Sequence, residues 1–175
     1  GLAMKMAEVI GDRGQPTLEL LGELYGYAEL ARAAIRTAEL EASEFGNGVW
    51  FPNGNPLAQL RHFLPTWFPR VNEILRLVGS HNLLATPTES QLRDPELGPL
   101  VAKYLQGAGG TAAETRIRVF RLAWDFCASA LGSRNEQYER FYLASGARNR
   151  VLSHIFAAKE RGVRLVERFL HEKPE

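Results

Sequence analysis

Four consecutive residues, Gly132-Ser133-Arg134-Asn135, gather a hydroxyl, a guanidinium and a carboxamide behind a glycine. They fall where one run of helically spaced apolar residues ends and another begins, and a helix N-terminus offers unpaired amides and a partial positive charge. Anion or cofactor contact is one chemistry such a turn supports. Residue types alone favour simple capping, with Ser133 serving the helix it opens, paired with Glu136 in a capping box, and Arg134 solvated. The turn is expected to need Gly132 in the left-handed conformation, ending one helix and starting the next.

Other reactive residues carry less. His62, His81, His154 and His171 are scattered, with no His-Glu-x-x-His and no paired Glu-x-x-His motifs, so no metal site is assigned. Cys127 stands on the apolar stripe of a helix and reads as a small core residue. Gly107-Ala108-Gly109-Gly110 precedes a helix but follows no strand and fits no phosphate-loop fingerprint, which leaves an interhelical loop. Trp50, Phe51, Trp67 and Phe68 read as core or subunit interface.

The elements that must position these residues are helical. Apolar residues recur at helical spacing through nearly all of the 175 residues, and no alternating strand pattern with hairpin turn chemistry stands out. A helix opens at Gln15-Pro16 and runs to Gly46-Asn47-Gly48, with apolar stripes through Leu21 and Leu24; residues 49–56 form a turn-rich loop. Asn55 caps the next helix, Pro65 and Pro69 kink or restart it, and Gly79 stops it. Residues 80–99 hold short turns, with a Thr88/Gln91 capping pattern and Asp94 before Pro95, and residues 100–106 form a short helix. A Thr111/Glu114 capping box opens a helix carrying Ile117, Phe120, Trp124 and Cys127, and one or two helices after Ser145-Gly146 close the chain. The reading is a single all-α bundle domain over residues 1–175, with the helices containing Leu21 and Trp124 central and nearly antiparallel.

With 21 basic and 20 acidic residues spread along the chain there is no basic face, so nucleic acid is not expected as a partner. One cysteine makes no internal disulfide, and the apolar run at residues 119–127 is broken by Arg and Asp well short of a membrane span, so a soluble cytoplasmic protein is expected. Helices apolar on two sides imply leftover surface for self-association. The first six residues have neither an initiator Met at position 1 nor a signal-peptide core, as in a piece of a longer protein.

Several strings resemble one family in order and in combination. They are Leu21-Gly22-Glu23-Leu24-Tyr25, Phe51-Pro52-Asn53 with Pro56-Leu57, Phe68-Pro69-Arg70, Tyr104-Leu105-Gln106-Gly107, Phe120-Arg121-Leu122-Ala123-Trp124-Asp125 and Gly132-Ser133-Arg134 with Tyr138-Glu139-Arg140-Phe141. Together they resemble the C-terminal region of the oxygenase component of 4-hydroxyphenylacetate 3-monooxygenases. That resemblance implies a helical bundle similar to the C-terminal domain of acyl-CoA dehydrogenases, in a two-component, FAD-dependent, tetrameric phenol hydroxylase. In such enzymes a separate flavin reductase supplies reduced FAD, oxygen adds to it to give a hydroperoxide, and one oxygen atom passes to the carbon ortho to a phenol, giving a catechol. The phenol is a small molecule or is tethered to a carrier protein. The resemblance places Gly132, Ser133, Arg134 and Asn135 at FAD, against the capping reading. It assigns no catalytic residue here, because the phenol-binding segments lie upstream. Two other readings stand beside it: a helical interaction module without flavin, and an acyl-CoA dehydrogenase-like flavoprotein domain.

Overall fold

The centre of the molecule is one long helix, α3 (Gly54–Leu84), against which α1 (Leu2–Ile10), α2 (Gln15–Leu40), α6 (Ala113–Cys127), α7 (Ala130–Phe141) and α8 (Gly146–Phe156) all pack. The structure is a computed structural model and describes residues 1–142 and 145–171; the last four residues of the expected domain lie outside the described part. Short helices α4 (Glu89–Arg93) and α5 (Leu97–Tyr104) and a 3-10 turn at Ala108–Gly110 link α3 to α6, and α9 (Glu160–His171) is the last helix among the described residues. The core joins Ala3, Met6, Ala7 and Val9 of α1 to Ile74, Leu75, Val78 and Leu83 of α3 and to Phe120, Ala123 and Cys127 of α6.

The all-α class holds, with one exception. The helix from Gln15 ends at Leu40, not at Gly46, and residues 43–51 form an antiparallel hairpin of β1 (Ser43–Gly46) and β2 (Val49–Phe51). Its turn is Asn47-Gly48, both with positive φ (53° and 76°), the conformation that hairpins favour and that Asn-Gly supplies. A register shift between Glu44 and Gly46 marks a bulge.

The centre is also corrected. The α6 helix with Trp124 lies in the core, but α2 lies at the edge on α3 and α1, with Leu18, Tyr25, Leu30 and Ile35 exposed. The place expected for α2 is taken by α1, whose helix is closed by Gly11 in the left-handed conformation (φ 69°). What holds α2 to α3 is polar as well as apolar: Arg70 donates to both carboxylate oxygens of Glu23 at 2.8 and 2.7 Å, Tyr27 donates to the same carboxylate at 2.6 Å, and Tyr27 stacks on Trp67.

The hydrogen bonds from Arg70, then that from Tyr27, lower the Glu23 pKa from 4.5 to about 2. A folded value below the unfolded one means the clamp stabilises fully above pH 4.5 and is lost as pH falls toward about 2. Glu23→Gln should therefore flatten the acid side of the stability profile between those values, measured by urea unfolding at stepped pH. An unchanged acid limb would remove Glu23 from the linkage.

Neither proline breaks α3. Pro65 cannot donate to the carbonyl of Arg61, and the buried Asn149 of α8 donates its amide to that oxygen instead, at 3.2 Å. The interruption comes at Ser80 (φ 44°, ψ −134°), one residue after Gly79, and the cap is Asn53, which accepts from the Asn55 amide, rather than Asn55 itself. The Thr88/Gln91 box forms as read, and Asp94 accepts from the Glu96 and Leu97 amides to open α5 at Leu97, earlier than residue 100. The Thr111 box does not form: Ala112 caps α6, and the Thr111 hydroxyl donates to the Ala108 carbonyl. Among the described residues two helices, α8 and α9, follow α7.

Candidate functional site

The polar turn singled out by its sequence lies at the corner where α6 passes into α7, but it is built differently from the expectation. The cap is Ser129, not Ser133: its hydroxyl accepts from the Gly132 amide at 3.0 Å and donates to the Asp125 carbonyl at 2.8 Å. Helix α7 thus begins at Ala130, and the Ser133 amide donates to the Ser129 carbonyl at 2.9 Å. Gly132 is an interior, buried helical residue without the positive φ expected of it. Its lack of a side chain serves a close approach, since a Cβ there would stand 2.6 Å from the Phe126 carbonyl oxygen and 3.0 Å from that of Asp125. A one-residue Gly signal fits either role, and the cap therefore lies four residues earlier, at Ser129, than residue types alone suggest.

Ser133, Arg134 and Asn135 are exposed on the first turns of α7. The expected Ser133/Glu136 box is absent; the Glu136 side chain turns inward instead, where its Oε2 accepts from Asn72 Nδ2 at 2.9 Å and lies 3.3 Å from Arg76 Nη2. Arg76 also donates from Nε to the Cys127 carbonyl at 2.8 Å, closing the C-terminal end of α6. Asn72 is fully buried on α3 among Val71, Ile74 and Leu75, a polar break in an apolar stripe that sequence reasoning passed over. Arg76 follows it at i+4 on the same face.

The donor set suits an anionic or phosphate-bearing group such as FAD. The Ala130 and Leu131 amides find no acceptor among the described residues, Arg134 enters no ion pair among them, and the first turn of α7 holds no acid. Every polar group the corner offers outward can donate.

The remaining candidates fall into structural roles. Cys127 is fully buried, donates its thiol to the Ala123 carbonyl, and burial pushes its pKa up. His62 faces Ser153 at 3.2 Å between α3 and α8, and no group of three or more His, Cys, Asp or Glu that could hold a metal occurs among the described residues. Gly107 to Gly110 form an interhelical turn, with Gly109 and Gly110 at positive φ. Trp67 stacks between Tyr27 and Phe63, and Phe68 tilts against Phe126, while Trp50 and Phe51 stand exposed on the hairpin. No described helix is long and apolar enough to cross a membrane.

A family model described as 4-hydroxyphenylacetate 3-hydroxylase C terminal matches residues 1–171. The 4-hydroxyphenylacetate 3-monooxygenase oxygenase component of Thermus thermophilus is 40% identical over 149 residues, which cover 85% of this chain and 31% of that protein. A crystal structure of the oxygenase component HpaB of 4-hydroxyphenylacetate 3-monooxygenase complexed with FAD superposes with a TM-score of 0.89 at 37% identity, over 98% of this chain and 36% of the other. An oxygen-tolerant archaeal 4-hydroxybutyryl-CoA dehydratase from N. maritimus shares the fold, with a TM-score of 0.79 at 18% identity over all of this chain and 36% of that one. The chain therefore spans about a third of the length of the relatives it matches.

Proposed function

The chain belongs to the 4-hydroxyphenylacetate 3-hydroxylase C-terminal family, and from that premise we propose that it forms the flavin-embracing helical part of a reduced-FAD-dependent monooxygenase that hydroxylates a phenol ortho to its hydroxyl. The observation that carries the reading is the outward corner of α7, where Ser133, Arg134 and Asn135 join two amides without an acceptor among the described residues, and where the first turn of the helix holds no acid. Bound FAD, reduced by a separate flavin reductase, supplies the activation of molecular oxygen. The contribution of this chain is binding and electrostatics: donors fixed by the helix, aimed at negative charge on the cofactor, need no reorganisation when it arrives. Gly132 contributes by letting α7 lie against the end of α6 rather than by touching the cofactor. The phenolic substrate, free or carrier-borne, meets its catalytic residues in the other two thirds of such an enzyme.

The assembly we propose is a cytoplasmic homotetramer. Its support is the apolar surface the bundle leaves open: Leu18, Tyr25 and Ile35 on α2, Phe45, Trp50 and Phe51 on the hairpin, and Val163, Val166, Phe169 and Leu170 on α9.

Arg134→Ala in the full-length enzyme should weaken reduced-FAD binding about ten-fold, the loss of one charge-assisted contact worth about 1.5 kcal/mol, with the unfolding temperature unchanged because the side chain is exposed and makes no ion pair among the described residues. Anaerobic titration with reduced FAD measures it. Wild-type affinity in the variant would make Arg134 a solvated helix-start residue and remove the carry-over from the family at that position.

A further inference from the structure

The three polar side chains behind the corner have no part in the reading above, and their arrangement gives them one. Resting on that reading, we propose that Glu136, held by Asn72 and Arg76, is a positioning residue that fixes the first turn of α7 so that Ser133 and Arg134 meet the flavin in one geometry.

Gly132 and Glu136 are four residues apart and share the inward face of α7, whereas Ser133, Arg134 and Asn135 point to solvent. Rotation or sliding of α7 about its axis thus moves the donors directly. Two contacts oppose such motion. Gly132 lies in backbone contact with the end of α6, which sets the distance but offers no directional bond. Glu136 supplies the direction: a single oxygen, Oε2, accepts from Asn72 at 2.9 Å and faces Arg76 at 3.3 Å, both on α3. Arg76 simultaneously holds the Cys127 carbonyl, so the same guanidinium ties the end of α6 and the start of α7 to α3.

The energetic context argues for specificity over bulk stability. Asn72 is fully buried, and its Oδ1 finds no partner among the described residues, so the site keeps a polar side chain at a cost that an apolar residue in the same stripe would avoid. Retaining it makes sense if one orientation of the facing helix matters. A cofactor contact through a guanidinium requires that orientation, because the strength of a charge-assisted bond falls quickly when donor and acceptor are misplaced.

The test is a set of variants of the full-length enzyme, read by anaerobic reduced-FAD titration and by thermal unfolding. Glu136→Ala should weaken reduced-FAD binding about three-fold, half on a logarithmic scale of the loss on removing the whole Arg134 contact. Glu136→Gln keeps an acceptor for Asn72 and should restore most of that affinity. In an Arg134→Ala background, Glu136→Ala should cause a smaller further loss than in wild type, because the share of its effect that runs through Arg134 is already gone and only the Ser133 contact is left to misplace. A drop in unfolding temperature with affinity unchanged, or a loss that adds in full to that of Arg134→Ala, would overturn the proposal by leaving Glu136 a packing residue. Should Glu136→Ala fail to fold, Arg76→Lys decides, since an ammonium cannot span both the Cys127 carbonyl and Glu136; wild-type affinity there would equally overturn it. If Arg134→Ala alone leaves affinity intact, the flavin reading of the corner fails first, and positioning for it falls with it.

Discussion

Gly132→Ala is expected to destabilise the bundle by about 3 kcal/mol, and Gly132→Val to prevent stable folding. The added Cβ would stand 2.6 Å from the Phe126 oxygen, 2.9 Å from its carbonyl carbon and 3.0 Å from the Asp125 oxygen. All three atoms are backbone at the end of α6, so no side chain can swing aside, and relief requires α7 to lift from α6 and break the Glu136 contacts to α3. Helix propensity works the other way, because alanine is favoured over glycine inside a helix by about 0.5–1 kcal/mol. Gly22→Ala isolates that opposing term: Gly22 lies inside α2 with nothing within 4 Å of the new Cβ, and the change should stabilise by about that amount. Urea unfolding of the two variants beside wild type gives opposite signs if the close approach governs Gly132. Equal small shifts would mean that α6 and α7 have room between them.

How much of this was legible in the sequence depends on what each signal reports. Apolar periodicity reports burial, and it recovered α6, where Ile117, Phe120, Ala123 and Cys127 form the buried stripe. It misjudged α2 because its apolar residues are not all covered by this chain; Tyr25, Leu30 and Ile35 remain open. Periodicity cannot tell a helix buried in its own bundle from one whose second face awaits another surface. At the hairpin and at the α6–α7 corner, turn chemistry was misread for the same reason, that a short motif has two physical uses. Asn47-Gly48 stops a helix as readily as it turns a hairpin, and the alternation around it, Ser43 to Phe51, is too short to decide. Ser129 and Ser133 are both acceptable caps, and only the approach of the Phe126 carbonyl to Gly132 selects the first. The outward donors of the candidate site were found because their residue types are unusual together. Asn72 and Arg76 were missed because each is ordinary on a helix, and their meaning arises from Glu136, 64 residues from Asn72, and Cys127, 51 residues from Arg76, meeting them in space.

The helix that no sequence signal announced, α1, should prove the most sensitive of all to a single truncation. Met6→Ala is expected to cost about 2–5 kcal/mol, whereas Met4→Ala, two residues earlier, should stay within about 0.5 kcal/mol of wild type. Met6 is fully buried and Met4 is 63% exposed, so the pair compares one residue type on the two faces of one helix. Met6 fills the space beside Gly79, its Cε 2.9 Å from where a Cβ on that glycine would stand, and truncation leaves a void there because glycine has no side chain to turn into it. Nine residues are too few for a helix stable by itself, so α1 exists through Ala3, Met6, Ala7 and Val9 and loses its largest anchor in the variant. Amide hydrogen exchange adds the local measure: protection across Leu2–Ile10 should drop by more than the global loss of stability in Met6→Ala and remain at wild-type level in Met4→Ala. Equal unfolding midpoints for the two variants would show that α1 only rests on the bundle, and the core would then have to be redrawn around α3 and α6 alone.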